Sequence, residues 1–161
     1  MKCLFLDVDG VLNSTKYMIQ LNGTFNRGAA MHPDMDPDLA RSFHMLDPES
    51  CARLRKVLTV TDAKVVLSSS WRHGTPLTEM AMALHLRGCP ATFVGSTPHL
   101  NLYRGRGQEI DHWLREHPTI TQFAIVDDDS DMEPHMDRLV KTSHDDGLMD
   151  EHVERLIEML R

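Results

Sequence analysis

Paired cysteines are missing from this chain. Its three cysteines, Cys3, Cys51 and Cys89, are scattered and show no C-x-x-C spacing. Such an odd set excludes a disulfide framework and a zinc knuckle, and it fits a reducing, intracellular setting. Ten histidines are present, yet none makes an H-x-x-x-H pair on a helix face, which argues against a zinc site. Long apolar runs are also missing. No stretch reaches transmembrane length, and the short apolar run in MKCLFLDVDG is too brief for a signal peptide. A cytoplasmic protein with no membrane partner is expected. An excess of positive charge is absent too: the formal net charge is -7. An acidic surface repels phosphate backbones, so broad nucleic-acid binding requires a local basic cluster. Finally, there are no repeats, low-complexity tracts or linkers, and 161 residues suit one domain over residues 1–161.

What is there reads as a globular chain, with 41% hydrophobic and 25% charged residues. Short apolar runs at residues 3–6, 65–67 and 124–126 end in polar clusters, and the run at 92–94 ends at Gly95. Continuous apolar runs bounded by turn residues read as strands buried on both faces, the mark of a parallel sheet. Residues 139–142 make a weaker fifth strand. Helical patterns lie between them. Asp47 caps a helix through about residue 58 with Pro48 at its first position. Thr75-Pro76 opens a second helix ending near Gly88, residues 107–117 form a third, and residues 150–160 a fourth. Alternating strands and helices imply right-handed crossovers and an α/β, three-layer Rossmann-like sandwich. Residues 13–45 break the alternation. Asn22-Gly23 is a strong hairpin signal, so a small hairpin is expected there, followed by a loop at 31–37. Such an insert leaves little for a lid.

Ligands in open α/β sheets bind at the carboxyl ends of the strands. The polar clusters fall at those ends: Asp7 and Asp9, then Ser68-Ser69-Ser70, then Asp127-Asp128-Asp129. Carboxylates two apart on a strand end point to the same side, and Gly10 lets the backbone turn. Such hard oxygens suit magnesium. A calcium loop needs acids at its first, third and fifth positions with glycine at the sixth. Here Gly10 follows Asp9 directly, so that alternative fails.

Asp7-Val8-Asp9-Gly10-Val11-Leu12-Asn13 resembles the first motif of the haloacid dehalogenase-like (HAD) superfamily. Val65-Val66-Leu67-Ser68 resembles its second motif. Ile125-Val126-Asp127-Asp128, followed by Asp131, resembles its fourth. Arg106 is the choice for the third-motif base, with Arg104 second. The wording SSSWR and RGRGQEIDHWL is similar to small, minimally capped HAD domains of nucleic-acid repair proteins. The resemblance implies a Mg2+-dependent phosphomonoester hydrolase acting through an aspartyl-phosphate. In that scheme Asp7 is the nucleophile and Asp9 the general acid and base, while Ser68 and Arg106 hold the phosphoryl group. The metal ligands are Asp7, the Asp9 carbonyl, Asp128 and Asp127. An acid two residues after the nucleophile favours phosphoryl over carbon–halogen chemistry. Substrate contacts are assigned to Ser68, Ser69, Arg72 and Arg104. The partner is a phosphorylated small molecule or a nucleic-acid end.

Several residues carry two readings. Arg72 either meets a substrate phosphate or pairs with a nearby acid. Trp71 is read as packing. Asp131 either supports the metal, orients Arg106 or caps a helix. His112 and His117 are read as solvent-facing, the methionines as gap-fillers, and Asp145-Asp146-Gly147 as a turn. At the level of function, a phosphotransferase and a catalytically silent binding module stand as the alternatives.

Overall fold

The computed structural model describes residues 1–100 and 105–161. Five strands form one parallel sheet: β1 (Lys2–Leu6), β2 (Lys64–Leu67), β3 (Phe93–Ser96), β4 (Gln122–Asp127) and β5 (Leu139–Lys141). Their order is β3-β2-β1-β4-β5. Alternate residues feed two separate cores. Leu4, Leu6, Val65, Leu67, Ala124 and Val126 join one cluster, and Cys3, Phe5, Val66 and Ile125 join the other. Burial on both faces is why the strands read as unbroken apolar runs rather than as alternating ones.

Among the described residues, seven α-helices accompany the sheet: α1 (Thr15–Gln20), α2 (Gly28–Met31), α3 (Pro37–Met45), α4 (Pro48–Thr61), α5 (Leu77–Leu86), α6 (Arg106–Glu116) and α7 (Asp150–Leu160). Leu54 and Val57 of α4, Met80 and Leu84 of α5, and Val153 and Leu156 of α7 fill the first core. Ile110 of α6 fills the second, with Met132 and Leu139. The result is the expected three-layer α/β sandwich. Asp47 caps α4 as expected, its carboxylate accepting from the Glu49 amide at 2.9 Å. The helix runs one turn further than its apolar stripe suggested, to Asp62 at φ 53°. No helix among the described residues is long and apolar enough to cross a membrane.

The expected hairpin around Asn22-Gly23 is not there. Ser14 caps α1 by accepting from the Tyr17 amide, so residues 17–20 are helical. Asn22 and Gly23 do take positive φ, 49° and 77°. That conformation here ends a helix instead of joining two strands. A 3-10 turn at Phe25–Arg27, then α2 and α3, complete a small helical insert. Its last helix lies against α5, and it is tied down by named contacts. The Tyr17 hydroxyl donates to the His44 carbonyl at 2.9 Å. The Arg87 guanidinium sits 3.8 Å from the Phe43 ring centroid and donates to the Phe43 carbonyl at 2.9 Å.

β1 is central, with β2 on one side and β4 on the other. This is the topological switch point at which ligand crevices open. The strand ladder continues one residue past the strands. The Asp7 amide donates to the Val126 carbonyl at 3.1 Å, and the Ser68 amide donates to the Leu6 carbonyl at 3.0 Å. Asp7, Ser68 and Asp127 therefore stand side by side at one edge.

Candidate active site

Asp7 leaves β1 almost fully buried, at 5% exposure. Its Oδ1 accepts from Arg106 Nη1 at 2.9 Å, and the same nitrogen donates to Asp127 Oδ2 at 2.8 Å. Arg106 is the first residue of α6, and the helix start is fixed from outside. Its amide donates to Asp131 Oδ2 at 2.9 Å, and the Gly107 amide donates to the Asp131 carbonyl at 2.9 Å. Of the readings open for Asp131, the structure shows it capping α6 and so orienting Arg106. Gly105 and Gly107 permit the close approach. A Cβ on Gly107 would lie 2.2 Å from the Met132 carbonyl carbon.

Asp7, Asp127 and Asp128 each offer a carboxylate oxygen, and these oxygens lie within 4.8 Å of one another. Burial pushes the Asp7 carboxyl above its ordinary range, against the Arg106 charge, the Ser69 hydroxyl and the Val8 amide. Burial and the Asp7 charge raise Asp127 to about 7. Burial also works against the Arg106 charge, but Asp127 and Asp7 outweigh it and hold the guanidinium protonated. Arg106 reaches Asp7 and Asp127 but not Asp128, whose basic contact among the described residues is the exposed His144. The hard oxygens of the three acids, without cysteine or histidine among them, fit Mg2+.

Asp9 stands apart from that cluster. Its Oδ1 accepts from Asn13 Nδ2 at 2.8 Å, and both its oxygens lie 3.1 Å from Trp71 Nε1. Asn13 Oδ1 in turn accepts from the Gly10 amide at 3.1 Å, closing the turn that carries Asp9. Gly10 has φ 74°, and a Cβ there would fall 2.4 Å from Asp128 Oδ2. Glycine is required both by the backbone and by the neighbouring acid. Asp128 also contacts His144, Nδ1 to Oδ2 at 2.7 Å.

Ser68 is fully buried at the end of β2, and its Oγ has no hydrogen-bond partner among the described residues. Ser69 Oγ accepts from the Trp71 amide at 3.3 Å, opening a 3-10 turn at Ser70–His73. Arg72 takes the acid-pairing form: its Nη2 donates to Glu109 Oε2 at 2.8 Å. Arg104 lies outside the described residues. A cavity of about 410 Å³ opens beside Asp9, with Arg41, Ser42 and Met45 of α3 on one side and Ser70, Trp71 and Thr75 on the other.

Sequence reasoning missed three contributors. Trp71 packs on the core as read, but its indole N–H also holds Asp9. Asn13 was visible within D-V-D-G-V-L-N, yet nothing there marked its amide as the partner of Asp9. His144 gave no signal, since the segment after β5 brings it to Asp128 only in the folded chain.

A parallel sheet with a DxD turn on its central strand, a buried serine on the next strand and a paired acid on the other side defines a HAD-type domain. The family described as HAD domain in Swiss Army Knife RNA repair proteins matches residues 3–153, and the chain belongs to that family. The family places it among HAD-type phosphoesterases and related functions. No curated protein matches the chain. No solved structure matches it either.

Proposed function

We propose that this protein is a Mg2+-dependent phosphomonoester hydrolase whose nucleophile is Asp7 and whose general acid and base is Asp9. The observation that carries this is the different housing of the two first-motif carboxylates. Asp7 is buried against Arg106 within the acidic cluster, while Asp9 is held outside it by Asn13 and Trp71 and faces the cavity. This separation supports assigning phosphorus to Asp7 and the leaving group to Asp9.

Asp7, Asp127, Asp128 and the Asp9 carbonyl would hold Mg2+, which would supply the positive charge that lets a carboxylate approach a phosphoryl anion. The residues do the rest. An Asp7 oxygen attacks phosphorus, and the bond from phosphorus to the leaving oxygen breaks. Asp9 delivers its proton to that oxygen. The product alcohol leaves and Asp7 carries the phosphoryl group. Asp9 then takes a proton from water, the water oxygen attacks phosphorus, and inorganic phosphate departs with Asp7 restored. The unpartnered Ser68 hydroxyl and the Arg106 guanidinium are placed to hold the phosphoryl oxygens.

The cavity beside Asp9 lies where the leaving group would sit. Its volume, the Trp71 ring and the hydroxyls of Ser70 and Thr75 suit a nucleoside rather than a small alcohol. Together with the RNA-repair context of the family, this favours the phosphorylated end of a polynucleotide as substrate. The test is phosphate release from an aryl phosphate and from 3′- and 5′-phosphorylated oligonucleotides, with Mg2+ and after chelation. Metal-dependent release from both classes, faster on oligonucleotides, is expected. A pure, folded protein that releases phosphate from none of them is instead the silent binding module.

A further inference from the structure

Arg72 and Glu109 form an ion pair with both side chains only 7% exposed. The pair ties together the segments that carry the chemistry. Arg72 Nη1 donates to the carbonyls of Ser68 and Ser69, each at 2.8 Å, so the guanidinium grips the backbone behind the serine cluster. Glu109 lies three residues after Arg106 on α6. Its second oxygen, Oε1, accepts from the Leu100 amide at 3.0 Å, which adds the segment after β3. Three segments thus converge on two side chains.

The energetics argue against a purely stabilising purpose. Burial lowers the Arg72 pKa, and Glu109 opposes that. Removing two charges from water costs about as much as their attraction returns, and apolar replacements of similar volume are often neutral or stabilising. What such a pair does supply is geometry. A planar fork that engages two carbonyls and a carboxylate fixes the angle between them, which an apolar contact cannot do.

We propose that Arg72 and Glu109 are positioning residues, a buried clamp that sets the Ser68-Ser69 backbone at a fixed distance from the Arg106 end of α6. This rests on the phosphatase reading above. It assigns Arg72 to the framework and not to the substrate. Without the clamp, Ser68 Oγ and Arg106 drift relative to Asp7, and a misplacement of about 1 Å can cost roughly 100-fold in rate.

The test replaces both partners at once, Arg72→Met with Glu109→Leu, and adds the single variant Arg72→Lys. The double variant should still fold, because no unpaired charge is left buried, and should melt lower only by the loss of partners for the Ser68 carbonyl and the Leu100 amide. Its kcat on an aryl phosphate should fall about 100-fold with KM unchanged. Arg72→Lys keeps the charge but loses the fork, so its kcat should also fall while folding survives. Affinity for orthovanadate with Mg2+, by calorimetry, reads the same geometry without turnover and should fall in both variants. Wild-type kcat and vanadate affinity in a folded double variant would overturn the clamp. A raised KM at unchanged kcat in Arg72→Lys would overturn it as well, by showing that Arg72 touches substrate. A wild-type protein that neither turns over nor binds vanadate sinks the phosphatase reading, and this one with it.

Discussion

At the scale of single residues, the two aspartates of the first motif make separable predictions. Asp7→Asn keeps the size of the side chain and removes the nucleophile, so phosphate release should vanish for every substrate. Asp9→Asn should leave Mg2+ affinity intact. Phosphorylation of Asp7, followed in a single turnover, should slow by about 100- to 10,000-fold for alkyl phosphates, the usual range for general acid–base catalysis, and much less for aryl phosphates, since those leave without a proton. Equal losses on both classes would show that Asp9 is not the general acid. Trp71→Phe keeps the ring and deletes the N–H that reaches both Asp9 oxygens. A hydrogen bond to a charged group is worth about 1.5–3 kcal/mol. The expected outcome is a loss of roughly 10- to 100-fold in phosphorylation of Asp7 by substrates with poor leaving groups, in a chain that still folds but melts somewhat lower. Single-turnover kinetics on matched alkyl and aryl phosphates measures it. The resemblance assigned Asp9 to acid–base work, and its spacing from Asp7 was visible. The partners of Asp9 were not, because Trp71 comes from a turn 62 residues away in sequence. The one-residue character of Trp71 suggested only packing.

Among the elements, strands were more legible than the helical insert, for a physical reason. A strand buried on both faces leaves a run of apolar residues, as 65–67 and 124–126 do, and little else in a chain does so. The insert helices α1 and α2 have six and four residues and no broad apolar face. What holds them is tertiary contact, such as Tyr17 to the His44 carbonyl, and periodicity cannot record that. The insert also carries a titratable cluster. His44 has one ring nitrogen 3.2 Å from His32 Nε2 and the other 3.2 Å from the Thr24 hydroxyl. Burial first, then the His32 and Arg87 charges, lower its pKa from the ordinary value. A histidine with a depressed folded pKa leaves the unfolded chain binding more protons in acid. Its stability contribution is present above about pH 6.5 and is lost as pH falls through the folded value. His152, also lowered by burial, contributes in the same direction. Asp127, raised to about 7, and His144, raised by Asp128, act in the opposite direction over the same range, so the effect of His44 is read as the difference between wild-type and variant melts at about pH 5.5 and about pH 7.5. His44→Gln should compare better with wild type at the lower pH than at the higher, and an equal difference at both would exclude His44 as a source. The turn carrying Asp9 makes a further prediction. Gly10→Ala meets both a positive φ and the Asp128 carboxylate. Strain of about 1–3 kcal/mol is expected from the backbone alone. Mg2+ affinity should fall along with stability, as read by calorimetry and melting.

For the molecule as a whole, the proposed metal site predicts a coupling of folding to metal. Three carboxylates share one buried corner with a single guanidinium, so a cation that binds the folded chain should stabilise it. At about 100 times its Kd, a ligand adds roughly 2.7 kcal/mol, which for a chain of this size is a rise in Tm of about 5–10 °C. Mg2+ should produce this, and Asp128→Asn should reduce it. An equal rise in that variant would place the metal elsewhere. The layout also separates two jobs along the chain. In the proposed mechanism, the residues assigned to phosphorus hang from the sheet edge: Asp7, Ser68, Asp127, and Arg106 on its capped helix. The wall beside the leaving group comes partly from α3, in a segment that the sheet does not need for its own pairing. Replacing Arg41, Ser42 and Met45 should therefore alter which alcohols are accepted and leave the hydrolytic step untouched. In evolutionary terms the insert is an interchangeable tool head. If the proposed mechanism holds, descendants of such a domain could change substrate by rewriting about thirty residues between the first motif and α4, while the reaction itself stays inherited.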